Sequence, residues 1–278
     1  MNTGVANFQE VKFQKEAIFA SSTFGRNIHF DSANFHQSEV FADSKFLAHA
    51  YFSKTIFGMA ESNFICEANF TDVQFDWPVS FRETLFHNSF PIFDGAILPE
   101  KIAFSARSSF WPRIGSPIVP SARAKTSLAI IRHAVAKQGL PEDEHFFFRY
   151  EMYYAGKSGS LGHYLMCQLF SLVSKYGNSI GRPVLSLAIL FVAFSMIFLA
   201  IFNSQNEFNG GMYNWYDAWA LSFSNIFRFL GLQSTYLGRD FMLGLGPVTS
   251  VLSALQTILG FTFLFFLGLG LRQRFRLR

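Results

Sequence analysis

The stretch Pro183–Phe202, PVLSLAILFVAFSMIFLAIF, holds no charged side chain and no amide. As a helix rising about 1.5 Å per residue it would cross about 30 Å, the thickness of one hydrocarbon core. A second run, Val248–Leu271, is longer, equally free of charge, and has Gln256 as its only strongly polar side chain. The competing reading is a pair of buried helices in a large soluble protein, but nothing else in the chain could surround them. Two transmembrane helices are expected, and the lipid bilayer becomes the first partner.

The flanks orient the pair. Lys175 and Arg182 lie just before the first run, and Arg272, Arg274, Arg276 and Arg278 come directly after the second. The 45 residues between them, Asn203–Pro247, carry Arg228 and Arg239 against Glu207, Asp217 and Asp240. Basic residues are retained on the cytoplasmic side. Both termini are therefore expected in the cytoplasm and the connecting loop outside, with the first run acting as its own insertion signal.

Within that loop, 213–230 (YNWYDAWALSFSNIFRFL) has helical periodicity. Trp215, Trp219, Phe223, Ile226 and Leu230 fall on one face, while Asn214, Asp217, Ser224, Asn225 and Arg228 tend to the other. Between two spans such a segment could be a pore helix dipping into the membrane, or an interfacial helix anchored at headgroup level. The five polar residues are the candidate pore-lining set. A potassium filter needs a T-x-G-(Y/F)-G run whose carbonyls replace the ion's water. The chain instead continues Leu230-Gly231-Leu232-Gln233-Ser234-Thr235-Tyr236, and Arg228 beside it would repel cations. On the second run Ser253, Thr257 and Gly260, with other small residues, would allow close helix packing.

Toward the N-terminus, Pro112, Pro117 and Pro120 mark a boundary. Ser121–Lys137 reads as an amphipathic helix stopped by Gly139-Leu140-Pro141, and Glu142–Lys157 as a second, acidic at its start and basic at its end. These are expected to cap the end of the N-terminal part. Leu161–Tyr176 is apolar enough to lie along the inner membrane surface.

The N-terminal part is a phenylalanine repeat. The chain has 37 Phe, and they fall at Phe8, Phe13, Phe19, Phe24, Phe30, Phe35, Phe41, Phe46, Phe52 and Phe57 in steps of five and six. After one irregular step the series resumes at Phe64, Phe70, Phe75, Phe81 and Phe86. Two positions before most of them stands a small or β-branched residue, such as Ala33, Ser44, Thr55, Ala68 or Thr84. An eleven-residue period can also mark a helical supercoil. On a helix, though, these steps turn about 140° and 240°, giving two separated Phe stripes, and the intervening Ser, Asn, Thr, Asp and Gly are poor helix formers. The fixed small residue also argues against Phe-rich disorder. A β-solenoid explains both features: on each short side a large residue points inward with a small one two positions earlier. Asn, Ser and Asp, with Asn34 and Asp43 among them, would fill the corners.

Charge separates the parts. Residues 1–100 hold six Lys/Arg against twelve Asp/Glu, and residues 101–278 hold seventeen against seven. The sequence pI of about 9.1 thus reflects the membrane-proximal half, which fits headgroup contact and makes nucleic acid an unlikely partner. Cys66 and Cys167 lack metal-ligand spacing, as do His29, His36, His49, His87, His133, His145 and His163. Gly156-Lys157-Ser158 ends like a phosphate-binding loop, but the glycine required earlier is Glu151. No nucleophile–base set stands out, so no enzyme, metal or cofactor is expected.

The tripeptides Ala6-Asn7-Phe8, Ala33-Asn34-Phe35 and Ala68-Asn69-Phe70 resemble the A-(N/D)-(L/F) unit of the pentapeptide-repeat family. The resemblance implies a right-handed quadrilateral β-helix, here with about 22 residues per coil because every second unit is six long. The order of repeat block, helical connector, Arg182-Pro183 and a hairpin ending Leu269-Gly270-Leu271-Arg272 is similar to bacterial membrane proteins that join such repeats to a hairpin like that of two-transmembrane ion channels. The expected fold is therefore a membrane protein in three parts: a β-helix over 1–100, a helical cap and connector over 101–182, and a two-helix transmembrane hairpin over 183–278. The expected role is an inner-membrane binding or sensing module for a cytoplasmic protein partner, on a hairpin that forms homo-oligomers and is ion-channel-like. The alternatives are a scaffold anchored without conductance, and a DNA-mimicking modulator of topoisomerases, which some relatives of the repeat suggest and the acidic first hundred residues permit.

Overall fold

The computed structural model describes residues 5–59, 66–114, 120–177, 179–209 and 213–274. Phe64, Pro117, Arg276 and Arg278 lie outside the described residues. Two compact units emerge, Met1–Cys167 and Gln168–Arg278. The N-terminal half is built of parallel-strand sheets and the C-terminal part is helical.

In the first unit the strands are very short: β1 (Ala6–Asn7), β2 (Lys12–Phe13), β3 (Ala17–Ile18), β4 (Thr23–Phe24), β5 (Ile28–His29), β6 (Asn34–Phe35), β7 (Glu39–Val40), β8 (Lys45–Phe46), β9 (Ala50–Tyr51), β10 (Ile56–Phe57), β11 (Ala68–Asn69), β12 (Gln74–Phe75), β13 (Val79–Phe81), β14 (Leu85–Phe86) and β15 (Ile102–Phe104). They form four parallel sheets, ordered β1-β5-β9-β13-β15, β2-β6-β10-β14, β3-β7-β11 and β4-β8-β12. Through β14 successive strands enter successive sheets, and every fourth strand returns to the same sheet. Ala6 pairs with Ile28, Lys12 with Asn34, Ala17 with Glu39 and Thr23 with Lys45, an offset of 22 residues each time. From Glu39, which pairs with Ala68, the offset lengthens to 29. The irregular step after Phe57 is this insertion. The first sheet continues through β15, past the boundary at residue 100 that spacing alone suggests.

The alternation of five and six residues comes from two kinds of corner. The five-residue steps carry a turn in which the third residue after a Phe donates its N–H to that Phe's carbonyl, as Ala33 does to Phe30 (2.9 Å) and Thr55 to Phe52 (3.2 Å). The residue before the donor sits at positive φ: Glu10, Ser21, Ser32, Asp43, Lys54, Asp72 and Glu83 all lie between 54° and 59°. The six-residue steps bend without it. Asn34, expected at a corner, instead lies within β6, whereas Asp43 does occupy a corner. The Asn of the Ala-Asn-Phe unit holds the middle of a side and the corner falls beyond the Phe.

Left-handed backbone costs an L-residue about 1–2 kcal/mol, and glycine returns about 0.5–1 of this in backbone entropy. Lys54→Gly is therefore expected to stabilise the protein by up to about 1 kcal/mol. Chemical denaturation checks this; a loss of stability would mean that the Lys54 side chain contributes more than its backbone strain.

Inside the sheets the rings stack in register. Phe8, Phe30, Phe52, Phe81 and Phe104 form one column with centroids 5.0–5.2 Å apart. Phe13, Phe35, Phe57, Phe86 and Trp111 form a second, spaced 4.6–5.3 Å. Phe19, Phe41, Phe70 and Phe93 form a third, and Phe24, Phe46 and Phe75 a fourth. The ladder Phe from Phe30 onward are buried, while the first four rings are half-buried. The small residue two positions earlier lies beside them, and where it is Ser or Thr its hydroxyl ties one turn of the repeat to the previous one. Ser44 donates to the Phe19 carbonyl (2.6 Å), Thr55 to Phe30 (2.8 Å) and Thr84 to Phe52 (2.6 Å). A buried hydroxyl without such a partner would be costly, which explains why these positions accept Ser and Thr as readily as Ala.

Helices α1 (Ser121–Lys137) and α2 (Pro141–Ser158) cover the last rings. Phe147 meets Trp111 edge-on at 5.1 Å, and Tyr154 meets Phe90 at 5.5 Å. Gln138 Nε2 donates to the Ile102 carbonyl on the outermost strand (2.7 Å), satisfying part of an edge that would otherwise invite further pairing. Arg132, bound to Glu151 at 2.6 Å, ties α1 to α2.

A third helix, α3 (Leu161–Ser174), leads to the second unit, made of α4 (Gly181–Asn209), α5 (Trp215–Ile226), α6 (Leu232–Tyr236), α7 (Gly238–Gly244) and α8 (Pro247–Arg274). Helices α4 and α8 are long and apolar enough to cross a membrane. Most of their surface is open, and the exposed side chains include Leu185, Ile189, Val251, Ile258 and Phe261.

Candidate functional site

The outer-loop helix is shorter than its periodicity suggests. It ends at Ile226, because Phe227 leaves helical geometry (ψ 39°), and Arg228–Leu230 forms a separate tight turn closed by Gly231 at φ 68°. Its start is fixed locally: the Asp217 carboxylate accepts the Asn214 backbone N–H at 2.8 Å.

Helix α5 lies against both α4 and α8. At its start Tyr213 stacks on Phe202 with centroids 4.4 Å apart. Further on, Ser222 Oγ donates to the Phe191 carbonyl at 2.9 Å. Those two contacts are eleven residues apart on α4, so α5 descends about 16 Å along it. On α8 the same end of α5 meets Gln256 and Gly260. A Cβ on Gly260 would stand 3.2 Å from Ile226 Cα, so the missing side chain is what admits the helix. The C-terminal end of α5 thus reaches the middle of both long helices.

There it carries a chain of buried amides. Gln256 Nε2 donates to the Ser222 hydroxyl (2.7 Å) and to the Ser222 carbonyl (3.1 Å). Asn225 Nδ2 donates to Gln256 Oε1 (3.0 Å), and Gln233 Nε2 to Asn225 Oδ1 (2.7 Å). Ser222, Asn225 and Gln256 are wholly buried. Each group here has a partner, so the cost of removing it from solvent is met within the network. Ser195, Thr249 and Ser253 add buried hydroxyls with no partner among the described residues.

The five polar residues expected to line one face therefore separate. Asn214 and Asp217 organise the start of the helix, and Ser224 folds back onto the Leu221 carbonyl (3.0 Å). Asn225 enters the network, while Arg228 is exposed beyond the helix end. The two faces are not sorted cleanly between inside and outside: Ile226 is buried beside Ser222, Ser224 and Asn225, whereas Trp215 and Phe223 are exposed. Trp215 is 68% exposed, while Ser222 and Asn225 are wholly buried. On the second run Ser253 and Gly260 are buried, and Thr257 Oγ1 donates to the Ser253 carbonyl (2.8 Å). Gly260 serves the docking of α5 within the chain. Periodicity does not mark Ser222, Gln233 and Gln256 as a site, although Gln256 is conspicuous as the polar residue of its run.

Between Arg228 and Gly244 the backbone is almost continuously helical, in a short turn, α6 and α7. Its carbonyls are directed along short helices and no extended row of them succeeds α5. Comparison with protein-family models, curated proteins and solved structures gives no match for this chain.

Proposed function

We propose that this chain is a membrane-tethered binding module, in which a pentapeptide-repeat solenoid in the cytoplasm is carried by a two-span hairpin that associates with copies of itself around α5. In this reading the four sheets close into a right-handed, four-sided β-helix capped by α1 and α2, and its acidic outer faces receive a protein partner. The setting is the inner membrane of a bacterium, with both termini inside. The observation that carries the hairpin's part is the amide chain Gln233–Asn225–Gln256–Ser222, held halfway along two apolar helices. Irregular backbone and amides at that depth are tolerated where protein or a water-filled path surrounds them. An anchor needs no such construction, whereas a pore or a gate does.

The test has two parts. Reporter fusions after Lys157 and after Arg278 are expected to report cytoplasm, and a fusion at Asn209 the outside. In liposomes the purified protein is expected to conduct with weak selectivity and no preference for potassium, since helices stand after α5 in place of a carbonyl ladder. Arg228→Glu should then shift permeability toward cations, because the charge changes by two units in each subunit. A silent protein with the expected topology would make the hairpin an anchor, and a potassium-selective current would refute this role for the loop.

A further inference from the structure

The outer face of the first sheet carries a second ring ladder, and it stops short. His29 and Tyr51, outward-facing partners on β5 and β9, stack at 4.5 Å with planes 10° apart. The next partners in register are Ser80 on β13 and Ala103 on β15. With strands about 4.8 Å apart, the two ringless levels leave a gap of about 10 Å along the stacking direction. An open groove of about 1130 Å³ occupies this place, bounded by Tyr51 on one side and by Lys137 and Gln138 at the end of α1 on the other. His29 does not line it but His49 does, its ring 5.9 Å from that of Tyr51, so the groove opens beside Tyr51 on the side away from His29. Its polar lining is cationic: Arg82, Lys101 and Lys137 against Glu100. Among the described residues none of these three cations is held in an ion pair. The Ser53 and Ser80 hydroxyls, 2.9 Å apart, add donors at the floor.

We propose that this groove binds a nucleotide, whose base continues the ladder on Tyr51 above Ser80 and whose phosphates are met by Arg82, Lys101 and Lys137. A flat ring stacked on Tyr51 fills the first of the two open levels, above Ser80, and every base offers a π-face to such an aromatic platform. The positive rim selects rings that carry anionic groups over neutral ones. This site is independent of what the hairpin does.

The experiment is calorimetric titration of the full-length protein in detergent with ADP, adenosine and pyrophosphate. ADP is expected to bind one per chain with Kd below about 1 mM, and adenosine and pyrophosphate each at least about tenfold more weakly. Tyr51→Ala should weaken ADP about tenfold or more, the scale of a lost base stack. Ser80→Trp, which places the protein's own ring in the slot, should abolish ADP binding while leaving the β-sheet circular dichroism unchanged. Lys101→Ala with Lys137→Ala should weaken ADP and pyrophosphate alike. Pyrophosphate binding as tightly as ADP, with Tyr51→Ala without effect, would reduce the site to a cation cluster and overturn the proposal. So would the absence of saturable ADP binding.

Discussion

Phe52→Ala is expected to destabilise the first unit by about 3–5 kcal/mol, the range for emptying a buried aromatic site. Phe52 is fully buried, stacks on Phe30 and Phe81 at 5.1 and 5.0 Å, and meets Phe41, Phe46 and Phe70 edge-on. The sheets cannot collapse onto the hole, because strand spacing is set by hydrogen bonds on all four sides. Phe8→Ala, at the open end of the same column and half-buried, should cost well under half as much. Denaturant unfolding followed by β-sheet circular dichroism measures both. Equal losses at the two positions, or tolerance at Phe52, would show that the column is not the source of stability.

Gly260→Leu is expected to dislodge α5. Even the first added carbon would press on the Ile226 backbone at 3.2 Å, and the remaining atoms have no path except through it. Helix α5 would have to lift, separating Ser222 and Asn225 from Gln256. Gln256→Leu attacks the same contact without bulk, leaving the Asn225 amide without its acceptor and the Ser222 carbonyl without this donor, at about 1–3 kcal/mol for each group stranded. The readout is reaction of Leu221→Cys, wholly buried on α5, with a membrane-impermeant maleimide in a background free of Cys66 and Cys167. Labelling should be negligible in the parent, rapid with Gly260→Leu and intermediate with Gln256→Leu. Ser250→Leu, on an exposed face of α8, should change nothing. Rapid labelling in the parent would show that α5 is not seated between the long helices.

Legibility in the sequence tracks the range of the forces involved. The five-and-six spacing of Phe8 to Phe57 announces short sides with inward rings, since alternation along a strand is a local property. At Asn34 the expected corner proves to be a strand, because a two-residue strand and a turn accept the same polar residues. Phe90, Phe93, Phe104 and Trp111 break the spacing and give no sign of belonging to the ladder, yet all four are buried in the same core. Phe93, Phe104 and Trp111 join by stacking on Phe70, Phe81 and Phe86 of the preceding level, and Phe90 by meeting Trp111 and Tyr154, contacts that the local spacing does not record.

The sequence by itself determined the parallel-strand repeat and the two apolar helices. Each rests on a pattern read within one segment: a side chain's alternation, or twenty residues without charge. Only the tertiary structure decided which way α5 faces. Its periodicity separates a polar from an apolar side, but that division is the same whether the surroundings are water or hydrocarbon. The choice is made by residues 31 and 34 positions away, where Gln256 meets Asn225 and Ser222. With an amide on the opposing helix to receive them, Ser222 and Asn225 turn inward and Trp215 and Phe223 turn out.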